Sequence, residues 1–447
     1  MIPTLPAPGC DDPCNPGPGC PLPPPECGGG SGETLDKKKP AGKITVWDSN
    51  LGMEVPVKRT RVVARRWFKI DVVYTNDQGE FKCNKRFVNK VNILVKFLNN
   101  NITIHGLRTP RLWQMWFPIK KGIGIYSGNL SNISYRFNQN TLEPHSRTNR
   151  NWWAAQTMNS QVEFNEMAAA NNIGGLPSFL RILLTGWANA RGAGSAPMNG
   201  HRNPQIVPPL WINYFVLNPA HTGFASTLNW LYNGILIRKT DMTIGYDKNL
   251  QSDQVKSLIY HEMAHAAHYN KVGDNWWNEL VNAETYEITR FGLNGAQSPY
   301  GIGDDGEMSG RIALAESWAE HIGRVMTDTK YGTTSSAQYN QGEFYENNSP
   351  VIGLSSHLNL LEDFSPNRVS DPFRWIPYGV YYDLMDSRND YNFNAILPID
   401  NVSGYSSQKC FNALDNDVKT IPEFKTRFLS ESGFNQAVVD LFFEYHY

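Results

Sequence analysis

Ser252-Asp253-Gln254-Val255-Lys256-Ser257-Leu258-Ile259-Tyr260-His261-Glu262-Met263-Ala264-His265-Ala266-Ala267-His268-Tyr269 is the stretch that decides the fold. Val255, Leu258, Ile259, Ala266 and Tyr269 recur at helical spacing, so the segment is predicted to be a helix. Ser252 or Asp253 can cap its start, and Gly273 suits its end. Residues four apart on a helix share a face. His261 and His265 form such a pair, and two imidazoles there can converge on one Zn2+ at about 2.0–2.1 Å. Glu262 projects beside them. With 10 His in the chain, an H-E-x-x-H match arises by chance on the order of 0.01 times. His268 stands two turns from His261, roughly 10 Å along the axis. That is too far for a third ligand, so His268 is read as a packing or supporting residue.

The third ligand must come from elsewhere. A second helix is expected from Ser309 to about Thr327, containing Ala313-Leu314-Ala315-Glu316-Ser317-Trp318-Ala319-Glu320-His321. Ile312, Glu316, Ala319 and Gly323 share one stripe, which turns Glu316 inward. Glu320 falls one turn further on. The alternative is Glu284, in Trp276-Trp277-Asn278-Glu279-Leu280-Val281-Asn282-Ala283-Glu284. Glu316 is preferred and Glu284 is kept as its rival.

On His261, Glu262, His265 and Glu316 the chain resembles the gluzincin zinc metallopeptidases of exported bacterial type. Glu316 to Glu320 reads E-x-x-A-E, close to the E-x-x-A-D helix that supplies the zinc glutamate in that family. There the second acid orients a zinc histidine, which gives Glu320 its role. Glu284 follows His265 at the spacing of the aminopeptidase-type gluzincins, but Ala283 intervenes where those carry Asn-Glu directly, and Ile288 stands where an acid is usual. The Gly and distal His of metzincins are absent. The resemblance implies an α+β fold: a zincin-like catalytic domain with a mixed sheet and active-site helices. It implies Zn2+ as cofactor and a peptide or protein as substrate. Zinc activates a water, and Glu262 is the general base. A Tyr or His downstream of the third ligand steadies the oxyanion. Tyr378 is the first choice, with Tyr381, Tyr382, His357 and His321 behind it. Zincins also present an edge strand to substrate. Gly194 to Gly200 is expected to be that edge and Arg181 to Thr185 to lie in the same sheet. Two other readings compete: a surface protein- or glycan-binding protein on this scaffold without catalysis, and a zinc amidase acting on cell-wall peptides. The intact Glu262 favours an enzyme, because a binding protein needs no general base.

Upstream, residues 41–104 alternate as short strands, with a turn at Asn76-Asp77-Gln78-Gly79 and a strand at Val91 to Phe97. Thr75 to Phe81 gives this stretch a resemblance to the carboxypeptidase regulatory-like, transthyretin-type β-sandwich modules. Residues 105–447 are assigned to the catalytic domain, with strands at Leu112–Phe117, Gly122–Tyr126, Arg181–Thr185 and Met242–Tyr246 and a helix at Asn151–Ala170. Residues 1–40 read as a linker without a fold. The first 32 residues hold 10 Pro, 7 Gly and 4 Cys, which cannot bury a core. Those four cysteines allow three disulfide pairings.

Lys and Arg total 41 against 42 Asp and Glu, a net charge of −1. That excludes a globally basic nucleic-acid binder. No apolar run reaches the roughly 18 residues of a membrane-spanning helix. No signal peptide is visible at Met1-Ile2-Pro3, yet linker chemistry and composition point to export: secreted, periplasmic or associated with the cell surface.

Overall fold

A computed structural model describes residues 36–107, 116–186, 193–202, 240–246, 248–291, 300–304, 306–332, 345–346, 349–350, 358, 361, 375–387 and 401–447. The cysteine-rich stretch, His357 and most of the expected Leu112–Phe117 strand lie outside the described residues. The chain is a mixed α+β structure, as expected.

Three four-stranded sheets are present among the described residues. In the first, β1 (Ala41–Asp48) pairs antiparallel with β2 (Met53–Pro56) and β5 (Glu80–Lys82), and parallel with β9 (Ile133–Phe137). The second is antiparallel, ordered β4-β3-β6-β8, from β3 (Arg61–Arg66), β4 (Lys69–Tyr74), β6 (Val91–Lys96) and β8 (Lys120–Tyr126). Alternation sets the faces: Val91, Ile93 and Val95 of β6 are fully buried, while Asn92, Leu94 and Lys96 are half-buried. The third is ordered β11-β12-β10-β7, from β7 (Ile102–Leu107), β10 (Leu180–Thr185), β11 (Gly194–Ser195) and β12 (Met242–Gly245). Here β10 runs parallel to β7 and β12, and β11 is the antiparallel edge. The expected turn forms at Asn76, whose Oδ1 accepts from the amides of Gln78 (3.1 Å) and Glu80 (2.7 Å).

Strand pairing crosses the expected boundary at residue 104. β7 leaves for the third sheet, and β8 and β9 return to complete the first two. Period-two alternation identifies a strand but not its partner.

Helix α1 (Arg147–Ala170) is buried nearly all round, with Trp152, Trp153, Ala154, Ala155 and Met158 at zero exposure. Its Ser146 cap accepts from the Asn149 amide. The Trp152 indole donates to the Trp47 carbonyl at 2.7 Å, which ties the helix to β1. Helix α2 (Ser252–Phe291) starts with a cap from far away. The Ser252 amide donates to Ser49 Oγ at 2.9 Å and the Asp253 amide to Asn50 Oδ1 at 2.9 Å.

Gly273 interrupts α2 with φ 80° and ψ −176°. It ends the first limb, as expected, but the chain resumes as helix at once, and the second limb carries Trp276, Trp277 and Glu284. A Cβ at Gly273 meets nothing within 4 Å, so only backbone strain opposes a side chain there. Gly273→Ala is expected to lower the unfolding free energy in urea by about 1–3 kcal/mol; an unchanged midpoint would show that the bend has another cause.

Helix α3 (Glu307–Tyr331) lies along α2. The two approach closely at Gly323, where a Cβ would stand 3.2 Å from the Ser257 carbonyl oxygen and 3.3 Å from His261 Cβ. Behind α3 pack α4 (Val380–Asp383), α5 (Ser407–Ala413), α6 (Ile421–Ser432) and α7 (Gln436–Glu444). Tyr381 of α4 packs edge-on against Trp318 and Phe424. No helix among the described residues is long and apolar enough to cross a membrane.

Candidate metal centre

The first limb of α2 turns His261 and His265 toward α3, and the close contact at Gly323 lets α3 present Glu316 to both rings. His261 Nε2 and His265 Nε2 are 3.1 Å apart. Glu316 Oε2 is 3.3 Å from the first and Oε1 is 3.4 Å from the second. Ligands at about 2.0–2.1 Å from a tetrahedral ion stand about 3.3–3.4 Å from one another. The donor atoms therefore already have nearly the spacing of one face of such a site. Among the described residues, these three form the group able to hold a metal ion.

The electrostatics favour a cation here. Burial alone would raise the Glu316 carboxyl, but the two imidazoles outweigh it and hold the group ionised, well below the carboxylate range. Burial pushes His265 down, which leaves a neutral ring with a lone pair to offer. On His261 burial opposes the charge, but Glu316 and Glu320 overcome it and raise the ring well above its usual value. A metal ion bound among these groups would take the place of that proton.

Glu320 stands where the sequence suggests, its Oε2 3.2 Å from His261 Nδ1. Its other oxygen accepts from Arg324 Nε at 2.5 Å. Burial would raise Glu320, yet Arg324 and His261 bring it down to about 2. The relay fixes the ring so that Nε2 faces Glu316. Glu320→Gln is expected to weaken metal binding about 10–100-fold, read by competition with a chelating dye; unchanged affinity would remove Glu320 from the relay.

The pocket in front of the donors is lined by Glu262, Glu284, Tyr300, Trp277, Leu280 and the backbone of β11. Glu262 is buried, and its Oε2 has no hydrogen-bond partner among the described residues. Burial, helped by Glu316 and opposed by His261, raises it to about 8. A Cβ on Gly194 would fall 2.2 Å from Glu262 Oε1, so only glycine lets the β11 edge lie this close to that carboxylate. Gly194 and Ser195 thus form a sheet edge beside the site, and Arg181 to Thr185 lie two strands in.

Glu284 lines the pocket wall but does not join the donor cluster. Burial raises it well above its usual value, and Glu316 and Glu262 add to this. His268 is fully buried against Trp276 and Trp277, with ring centroids 4.8 and 5.7 Å away. His321 is likewise buried, beside Trp318 and Tyr381. Tyr378 is half-buried and does not line the pocket. Tyr300 does, and Tyr378 is close enough to help raise its hydroxyl. Sequence reading missed Tyr300 because it lies outside any periodic element. The local sign was Tyr300-Gly301-Ile302-Gly303, a turn that Trp375 holds by donating to the Gly301 carbonyl at 3.0 Å.

No family model and no curated protein sequence matches the chain. Among solved structures, a 9R-lipoxygenase from Cyanothece PCC8801 is similar at 13% identity over 30% of this chain and 25% of that chain, with a TM-score of 0.13. A likeness that slight carries no argument about fold or function.

Proposed function

We propose that the chain is a zinc-dependent metallopeptidase of gluzincin type, with a zincin-like catalytic fold and His261, His265 and Glu316 as the zinc ligands. The observation that carries this reading is the pair of nitrogens and the carboxylate at mutual distances of 3.1–3.4 Å, facing a pocket that also holds Glu262. Two imidazoles and one carboxylate are the ligand set of hydrolytic zinc sites that keep one position open. Zinc bound there supplies a Lewis acid that acidifies water and polarises a carbonyl.

The chain's own residues do the rest. Glu262 takes the proton of the attacking water on its carboxylate and passes it to the leaving amine. A cation held by His261, His265 and Glu316 would favour the ionised form of this buried carboxyl, the form that accepts a proton. The β11 edge receives an extended substrate as an added strand, through backbone hydrogen bonds. Burial, with Glu316, Glu284 and Tyr378 nearby, keeps the Tyr300 hydroxyl protonated, so it can donate to the developing oxyanion. This gives Tyr300 the part first sought at Tyr378.

Glu262→Gln tests the reading. The variant is expected to keep one zinc per chain and to lose about 100- to 10,000-fold of its rate on a peptide library. Wild-type protein that takes up no zinc, or a variant that cleaves as fast as wild type, would sink the proposal.

A further inference from the structure

The β3–β4 hairpin turns in two residues, Trp67 and Phe68, between the paired Arg66 and Lys69. Trp67 is 85% exposed and Phe68 99%, so neither ring serves the core. Trp67 also holds φ 50°, in a region where a bulky residue is strained and where two-residue turns usually carry Gly or Asn. Strained backbone bearing two solvated aromatic rings brings the folded chain no stability in return, and such features mark sites of interaction. Beside the tip, Arg66 donates to the carbonyl of Val88, itself 60% exposed. Asn89 and Lys90 line an open hollow with Arg66 and Trp67.

The outer face of the sheet continues this character. Register places Ile70, Arg65, Asn92 and Ile125 in one row across it. Tyr74, Arg61, Lys96 and Lys120 form another. Neither row contains a carboxylate. Burial is the main cause that lowers the pKa of Lys96, and the nearby Arg61, Lys120 and Arg65 add to it. The chain as a whole carries a net charge of −1, so this positive character is local.

We propose that the Trp67–Phe68 tip, with Arg65, Arg66, Lys69 and Lys90 around it, is a peripheral docking surface for an anionic lipid bilayer. Trp and Phe project from the turn and enter the headgroup region, where aromatic rings are favoured. The cations lie around them at the level of the lipid phosphates and carboxylates. Aromatic rings that stack on glycans or bases lie on supported platforms; these two stand out from a turn, a geometry suited to insertion.

Full-length protein is mixed with vesicles of phosphatidylcholine alone, or of phosphatidylcholine with about one third phosphatidylserine, and co-sedimentation is measured. Binding is expected only to the serine-containing vesicles and is expected to weaken as salt is raised. W67A/F68A and R65E/K69E should each bind about tenfold more weakly or worse. Both pairs lie at the surface, and unchanged urea midpoints establish that the variants are folded. The proposal is overturned if wild type binds neither vesicle, or if W67A/F68A binds as tightly as wild type. It is also overturned if the tip is needed for binding heparin or single-stranded DNA while vesicles are ignored.

Discussion

If the proposed zinc site is right, His265→Ala is expected to abolish stoichiometric zinc in the purified protein, Glu316→Ala is expected to do the same, and Glu284→Ala is expected to retain one zinc per chain. The reason is the spacing of the donors. His265 Nε2 lies 3.1 Å from His261 Nε2 and 3.4 Å from a Glu316 oxygen, so each removal would take away one of the three proposed ligands. Loss of an outer partner costs about 10–100-fold in affinity, and loss of a direct ligand costs more. Glu284 is part of the same wall but stands outside the cluster. Metal content by mass spectrometry, with circular dichroism to verify the fold, decides the matter. Zinc retained in Glu316→Ala and lost in Glu284→Ala would reverse the ligand assignment.

The second large effect lies away from the metal. Lys256, on the first limb of α2, has a fully buried side chain. Its ammonium donates to Glu163 Oε2 of α1 at 2.6 Å, and Lys330 of α3 donates to Glu163 Oε1 at 2.5 Å. Tyr260 donates to the same carboxylate. One acid thus joins three helices. Glu163→Gln strands the Lys256 charge in the core, and removing one partner of a buried pair costs about 3–5 kcal/mol. The pH dependence has a definite sign. Burial would raise Glu163, but Lys256 and Lys330 bring it down to about 2, below its unfolded value. Its contribution is therefore complete above about pH 4.3 and is lost as pH falls toward about 2. Urea unfolding should show the full gap between wild type and variant at pH 7 and a narrowing gap under acid. A difference below about 1 kcal/mol at pH 7 would mean that the cluster behaves like a solvated ion pair.

The helix that carries His261 and His265 was legible because its message is local. A helix places His261 and His265 one turn apart whatever surrounds them, and the stripe of Ile312, Glu316, Ala319 and Gly323 marks the inward side of α3. Gly323 on that stripe was itself a clue, since two helices meet closely only where one lacks a side chain. The sheet edge was expected from the resemblance alone, over Gly194 to Gly200, and only Gly194 and Ser195 of that stretch form a strand. Other features depend on contacts distant in sequence. Tyr300 lines the pocket from a turn that Trp375, far off in sequence, helps to brace. β7 reads as a strand, but nothing in Ile102 to Leu107 reveals that it pairs with β10 in preference to its neighbours in sequence. Gly273 signals a stop, and the same residue permits a bend that brings Trp276 and Trp277 back over His268.

The reciprocal bonds between Ser49 and Ser252 link residues 203 positions apart. At a synthesis rate of about 5–20 residues per second, Ser49 is made about 10 s or more before the helix it caps. β1 must likewise wait for its parallel partner β9. The nascent chain therefore carries open strand edges for long periods, and the histidine helix gains its cap only after most of the protein exists. Pairings this distant are formed slowly, so refolding from denaturant should be slow and prone to aggregation.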